Sequence, residues 1–328
     1  MPVKAEQVDA GVMRAAIALD RCARSWRMAA RKVGGLAALD MEVRASPSTL
    51  SALLDSVESG SGSSAHELRD RFRRCDPDAE RRAMESLGVA MVSVGECDYP
   101  PMLSASGDPP VALWIRGEFV ASDAWSVAVV GARRASAYGV EQAGRFAAAL
   151  AASDVAVVSG AARGIDAEAH RGALRAEGRT IAVVGGGLRE PYPPEHIELL
   201  DEIVAAGGAV VSECPMDSPA TPDRFPSRNR VIAGLTLGTL VIEAMVRSGA
   251  ILTANLACEC NRLCMAVPGP VQGGRSSGCH HLIQSMQASL VEQPDDVLQH
   301  ILTHATTIHG AELLSRAGFD PPRVSAKA

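Results

Sequence analysis

From about residue 89 the sequence repeats one grammar: a short, continuous apolar run rich in β-branched residues, then a segment of helix length. The runs are Val89–Val94, Val127–Val130, Val155–Val158, Ile181–Val184, Ala209–Val211, Leu240–Ile242 and Leu263–Val267. Helix candidates stand at about 139–152, 166–177, 195–206, 226–235 and 250–261. A strand wetted on one face alternates apolar with polar residues, whereas one covered on both faces reads as an unbroken apolar run. Runs of the second kind separated by helices predict an α/β fold, a parallel sheet with right-handed crossovers. Such sheets take ligands beyond the carboxyl ends of their strands, so the loops after each run are where function is sought.

The N-terminal part reads differently. Residues 12–58 are rich in Ala and Arg with helical spacing, Ser59 to Ser64 is a flexible Gly/Ser stretch, and a helical pattern resumes at about 65–87. The expected organisation is a small helical domain over 1–85, the sheet domain over 86–300 and a tail over 301–328. No stretch is apolar enough to span a membrane, the N-terminus lacks a signal peptide's apolar run, and eight cysteines in 328 residues do not make a small secreted framework. These features imply a cytoplasmic protein. Cys258, Cys260 and Cys264, with His280 and His281 beyond, match no common structural zinc spacing, so buried free thiols are expected and no metal. The net charge is −6. An acidic chain that binds a polyanion must gather its cations locally, and here nearly all of them are arginines, whose planar fork suits phosphates and whose flat face suits bases.

The strand ends do gather them. After Val127–Val130 comes Gly131-Ala132-Arg133-Arg134, then Tyr138-Gly139. This is not the G-x-G-x-x-G of dinucleotide binders; instead an arginine stands two residues past the glycine. After Val155–Val158 come Ser159, Gly160, Arg163, Gly164 and Asp166, with His170 one helical turn on. Asp166 has two roles open to it, helix N-cap and ligand contact. Gly185-Gly186-Gly187 with Tyr192-Pro193, and Ser212-Glu213, follow the next two runs. Arg224-Phe225-Pro226-Ser227-Arg228-Asn229-Arg230 at the start of an apolar helix offers cations for a chain of phosphates and an aromatic ring for a base. Glu243, at the end of a buried strand, needs a partner, for which Arg247 or Arg230 would serve. Ser248, Gly249 and Thr253 complete that loop.

In order, these segments resemble the DNA processing protein A family, also called DprA/Smf. The likeness is carried by Tyr99-Pro100 and Leu103; Val130 to Arg133 with Tyr138-Gly139; Ser159-Gly160 through Asp166 and Ala169-His170; Tyr192-Pro193; Ser212-Glu213; Phe225 through Leu235; Glu243-Ala244 with Arg247-Ser248-Gly249 and Thr253; Ala266 through Gly269; and Gly278 through Ile283. It covers about residues 88–290. The resemblance implies an extended Rossmann-like fold, a homodimer, binding of single-stranded DNA and loading of the recombinase RecA onto it, typically in natural transformation and recombination. It implies neither cofactor nor catalysis. By position, DNA contact falls on Gly131, Arg133, Ser159, Gly160, Arg163, Gly164, Asp166, Arg224, Phe225, Arg228, Asn229, Arg230, Glu243, Arg247, Ser248, Gly249 and Thr253. Ala132 departs from the family's Ser or Thr, and Met286-Gln287 from its Gly-Ala. Residues 291–328 are too short for the winged-helix-like domain of many relatives. Leu282, Ile283 and Met286, at i, i+1 and i+4, suggest one apolar helix face for the dimer.

Two other classes compete. Gly238-Thr239-Leu240-Val241-Ile242-Glu243 faintly echoes the nucleoside-monophosphate phosphoribohydrolases, without their Pro-Gly-Gly lead-in. A nucleotide sensor would use the same strand ends for a small phosphorylated ligand.

Overall fold

The apolar runs become the strands of a mixed α/β structure, described here from a computed structural model. It describes residues 74–307 together with Met13, Ala16, Ile17, Ala311, Glu312, Leu314, Ser315, Gly318 and Phe319. The expected helical domain over 1–85 therefore lies almost wholly outside the described residues. The chain folds as two compact units, with the boundary crossing inside β5 after Ile181 and inside α6 after Val231.

In the first unit, helix α1 (Pro77–Ser86) starts on Asp76, whose carboxylate accepts the N–H groups of Asp78 and Ala79, both at 3.0 Å. Strand β1 (Val89–Ser93) is antiparallel to β2 (Ala112–Gly117), Met91 facing Trp114. Strand β2 is in turn antiparallel to β6 (Ala209–Ser212), Ile115 facing Val211, and β5 (Thr180–Val184) is the next neighbour of β6. The Val89–Val94 run is thus a strand, but an antiparallel one. Its partner β2 was not among the expected strands: the apolar run is only Val111 to Ile115, between Pro109-Pro110 and Arg116-Gly117. Helix α5 (Ile197–Ala205) precedes β6 and buries Leu199, Leu200 and Ile203.

The second unit is the parallel sheet foreseen from the sequence. Its order is β4 (Ala156–Ser159), β3 (Ser126–Val130), β7 (Gly238–Val241), β8 (Leu263–Ala266) and β9 (Ser289–Leu290), parallel at every step. Val127, Ala128 and Val129 are wholly buried, as expected of a strand with helices on both faces. Helices α3 (Ala137–Ala152) and α4 (Ile165–Arg175) cross backbone to backbone: a Cβ on Gly172 would lie 2.7 Å from the Gly144 carbonyl oxygen. Arg145 ties α3 to the start of α9 (Pro294–Ala305) through the Glu292 carbonyl at 2.6 Å and Gln293 Oε1 at 3.1 Å. Helix α9 buries Val297, Ile301 and Ala305, so the first five residues of the expected tail belong to it.

Helices α7 (Gly249–Glu259) and α8 (Ser277–Gln284) flank β8 in the chain. On α8, Leu282 is buried, Ile283 half-buried, and Met286 lies past the helix end at φ 56° and 91 % exposed. The three do not share one helix face as their spacing suggested, because the helix stops before its next turn.

The cysteines also depart from expectation. Cys214, Cys264 and Cys279 are buried, but Cys97 and Cys258 are exposed. The neighbouring Cys264 thiol hydrogen-bonds to Cys258 and lowers its pKa to about 7, against the effect of burial. A thiol half-ionised near neutrality is the faster nucleophile. Cys258 is expected to be the first of the described cysteines carboxymethylated by iodoacetate at pH 7, with Cys264→Ser slowing it. Peptide mapping reads this, and faster labelling of Cys97 would refute it.

Candidate nucleic-acid interface

The turn between β3 and α3 is stitched to its neighbours by backbone. The Ala132 N–H donates to the Glu243 carbonyl at 2.8 Å, and the Ile165 N–H donates to the Ala132 carbonyl at 3.2 Å. A Cβ on Gly131 would stand 2.5 Å from Ile165 Cγ1. Gly164 sits at φ 79°, where an added Cβ would lie 2.3 Å from the Ala132 carbonyl oxygen and 2.8 Å from that of Arg133. The loops after β3, β4 and β7 therefore form one packed rim in the second unit.

Several predicted contacts are spent on building that rim. Ser159 is buried, its hydroxyl donating to the Val129 carbonyl at 2.6 Å. Gly160 is buried beside it. Asp166 is not an N-cap: α4 begins at Ile165 after Gly164, and the Asp166 carboxylate, in the first turn, accepts the Ala162 N–H at 3.4 Å. Thr253 is buried and returns its hydroxyl to the Gly249 carbonyl at 3.1 Å. Ser248 stands at the start of α7, its Oγ buried without a hydrogen bond.

Glu243 corrects the expectation of an arginine partner. It is 1 % exposed, and its carboxylate accepts the Ser136 N–H at 3.0 Å and the Ser136 hydroxyl. Ser136 Oγ in turn accepts the Gly139 N–H at 3.1 Å as the N-cap of α3. Gly139 leaves room for this: a Cβ there would come 3.0 Å from Glu243 Oε2. No arginine is required, because the N–H and hydroxyl of Ser136 at the helix start both donate to the acid.

Cations point outward from the same rim. Arg133, Arg163 and Arg247 are exposed, and so are two residues that the sequence reading did not single out, Arg134 and Arg275. Arg134 could have been found from its place beside Arg133. Arg275, in a Gly-rich stretch after β8, carried no such signal.

In the first unit the arginines of α6 (Arg224–Leu235) turn inward instead. Arg224 is buried with Nη1 on Cys214 Sγ, and Arg228 is buried with Nη1 donating to the Val183 carbonyl at 2.6 Å. Asn229 is buried as well. Arg230, foreseen as structural but with Glu243, pairs with Glu213 and donates to the Asp108 carbonyl at 2.7 Å. Tyr99, beside this group, gives its hydroxyl to the Pro110 carbonyl at 2.9 Å, and burial holds its pKa well above the ordinary value. What stays open here is aromatic. Phe225 is half-buried and meets the exposed Tyr192 edge-on, ring centroids 6.0 Å apart at 60°. Gly185 admits the Phe225 ring, since a Cβ there would already be 3.1 Å from its Cδ1.

Among the described residues, no group of His, Cys, Asp and Glu could hold a metal ion, and no helix is long and apolar enough to cross a membrane.

Comparison with known proteins agrees with this architecture. A family model described as DNA recombination-mediator protein A matches residues 90–302. Protein Smf of Escherichia coli (strain K12) is 44% identical over 203 residues, 62% of this chain and 54% of that protein, so the chain spans about half of that relative's length. The X-ray structure of DNA processing protein A from Streptococcus pneumoniae superposes with a TM-score of 0.67 at 37% identity, covering 75% of this chain and 85% of that one. DNA processing protein A from Helicobacter pylori, whose structure describes its single-stranded DNA binding mode, gives a TM-score of 0.58 at 25% identity, over 66% of this chain and 96% of that one. With an α/β fold whose second unit is a parallel Rossmann-like sheet, and a family match that extends over most of the chain, the protein belongs to the DNA recombination-mediator protein A family.

Proposed function

We propose that the protein binds single-stranded DNA during DNA processing and recombination, and does so without catalysing a reaction. The observation that carries this reading is the placement of Arg133, Arg134, Arg163, Arg247 and Arg275. All five are exposed, at the carboxyl ends of four adjacent parallel strands, in a chain of net charge −6. Guanidinium groups on short loops suit a flexible sugar-phosphate chain. A duplex major groove is read instead by an inserted helix or ribbon. The Tyr192–Phe225 pair of the first unit adds a surface on which a base can stack. The relative from Helicobacter pylori, solved for its single-stranded DNA binding mode, supports the same choice of ligand. Loading of RecA onto the bound strand, self-association as a homodimer and a cytoplasmic location belong to this proposal through the family resemblance.

The hydrolase reading is disfavoured by Glu243, whose carboxylate is buried and engaged by Ser136. Fluorescence anisotropy of labelled single- and double-stranded oligonucleotides, titrated between 50 and 200 mM salt, tests the proposal. Binding to single strands is expected to weaken steeply with salt, at a log–log slope of about −0.7 per neutralised phosphate, and to exceed binding to duplex. Equal affinity for duplex, a flat salt response, or stabilisation by mononucleotides alone would overturn it.

A further inference from the structure

The loop that follows β8, residues 267–276, carried no signal in the sequence past Gly269 beyond its glycines, yet it is built against the loop of β3. Its entry is held by Tyr138, whose hydroxyl donates to the Pro268 carbonyl at 3.1 Å, and by His280, whose Nε2 lies 3.0 Å from the Gly269 carbonyl oxygen. Gly269 lies so close to Ser276 that a Cβ would fall 1.8 Å from its hydroxyl oxygen, pinning the two ends of the loop together. Its tip then turns outward: Gly273 and Gly274 have φ 81° and 70° with open space around them, and Val271 is 85 % exposed. At the far side of the tip, Arg275 reaches back across the loop of β7 to the loop of β3, Nη1 donating to the Arg134 carbonyl at 2.7 Å.

That bond places the exposed Arg275 guanidinium against the backbone of Arg134, whose own side chain is exposed as well. Among the described residues no ion pair neutralises either side chain, and the bond that Arg275 makes is to a neutral carbonyl. Arg247, on the intervening β7 loop, is likewise exposed. Exposed cations on neighbouring loops build a local positive potential that attracts a polyanion. The strand order β4-β3-β7-β8 lays these loops in a row, and three steps of about 4.8 Å make a track on the order of 14 Å across the carboxyl edge of the sheet.

We propose that Arg134 and Arg275, the second carried by the β8 loop, form an outer phosphate-binding station that extends the path of the single strand from the β3 loop toward the β8 loop of the second unit. This rests on the single-stranded-DNA reading given above. The test is anisotropy of a labelled oligothymidine with the full chain and its Arg134→Ala, Arg275→Ala, Arg275→Lys and Arg247→Ala variants, each over the same salt range. Arg134→Ala and Arg275→Ala are expected to weaken binding on the order of 5-fold at low salt, each reducing the steepness of the salt dependence by about 0.7, while Arg275→Lys keeps the slope. Melting temperatures should stay at the wild-type value, since both side chains lie in solvent. Wild-type slope and affinity in both alanine variants, beside a loss in Arg247→Ala, would overturn the outer station and leave the general reading standing. A wild type that binds no single strand at all would instead overturn the general reading.

Discussion

Arg230→Ala is expected to destabilise the protein by about 3–5 kcal/mol, the range for removing one partner of a buried ion pair. The Arg230 side chain is 12% exposed and that of Glu213 2%. The guanidinium also holds the Asp108 carbonyl at 2.7 Å, so its loss takes a cationic partner from a buried carboxylate and a donor from a part-buried carbonyl together. Urea denaturation should show a lower midpoint with an unchanged slope, the signature of lost stability rather than a changed unfolded state. Arg230→Ala combined with Glu213→Gln should recover part of the loss, because the stranded charge goes with it. If Arg230→Ala leaves the midpoint in place but abolishes DNA binding, the residue is a ligand and the buried pair is incidental.

Gly164→Ala should cost about 2–4 kcal/mol, combining a strained left-handed backbone with displacement of a neighbour. The added Cβ meets two backbone carbonyl oxygens, at 2.3 Å and 2.8 Å, and backbone cannot swing aside as a long side chain can. The loop that must yield is the one bearing Arg133 and Arg134, so single-stranded-DNA affinity should fall along with stability. Gly88→Ala is the control: it too has positive φ, 61°, but nothing lies within 4 Å of its added Cβ. A loss at Gly164 no greater than at Gly88, by denaturation midpoint, would mean the β3 and β4 loops are not packed as described.

The sheet was legible because both of its faces are covered, which writes each strand as an unbroken apolar run. Strands β2 and β9 escaped because they are short: one is a five-residue apolar stretch between prolines and an Arg-Gly end, the other only two residues long. Residue types at the strand ends were legible as well, but not their partners. Glu213 and Glu243 each follow a strand and read alike in sequence; which one meets Arg230 depends on sheet order, and that order is not local information. The same holds for the arginines of α6. Their number and spacing suggested a phosphate-binding face, whereas burial turns Arg224 and Arg228 onto acceptors within the protein. Asp166 differs from its expected capping role by a shift in where α4 starts, which the positive φ of Gly164 decides.

The contact between Glu243 and Ser136 reaches beyond the loop it closes. In nucleotide-binding sheets, the helix after the leading strand turns its bare N–H groups and the positive end of its dipole toward a pyrophosphate. Here the equivalent helix end already has an anion, and it is the protein's own: a buried carboxylate covalently delivered by the neighbouring strand. An incoming phosphate would have to evict a tenant that cannot diffuse away, leaving that charge buried without its donors. The fold thus retains an anion hole yet withdraws it from competition, so soluble nucleotides lose their strongest foothold. A polymer needs no such foothold, since it gathers many weak guanidinium contacts along the rim. On the proposed reading, a helix end occupied by the protein's own carboxylate would favour a long chain of phosphates over a short one.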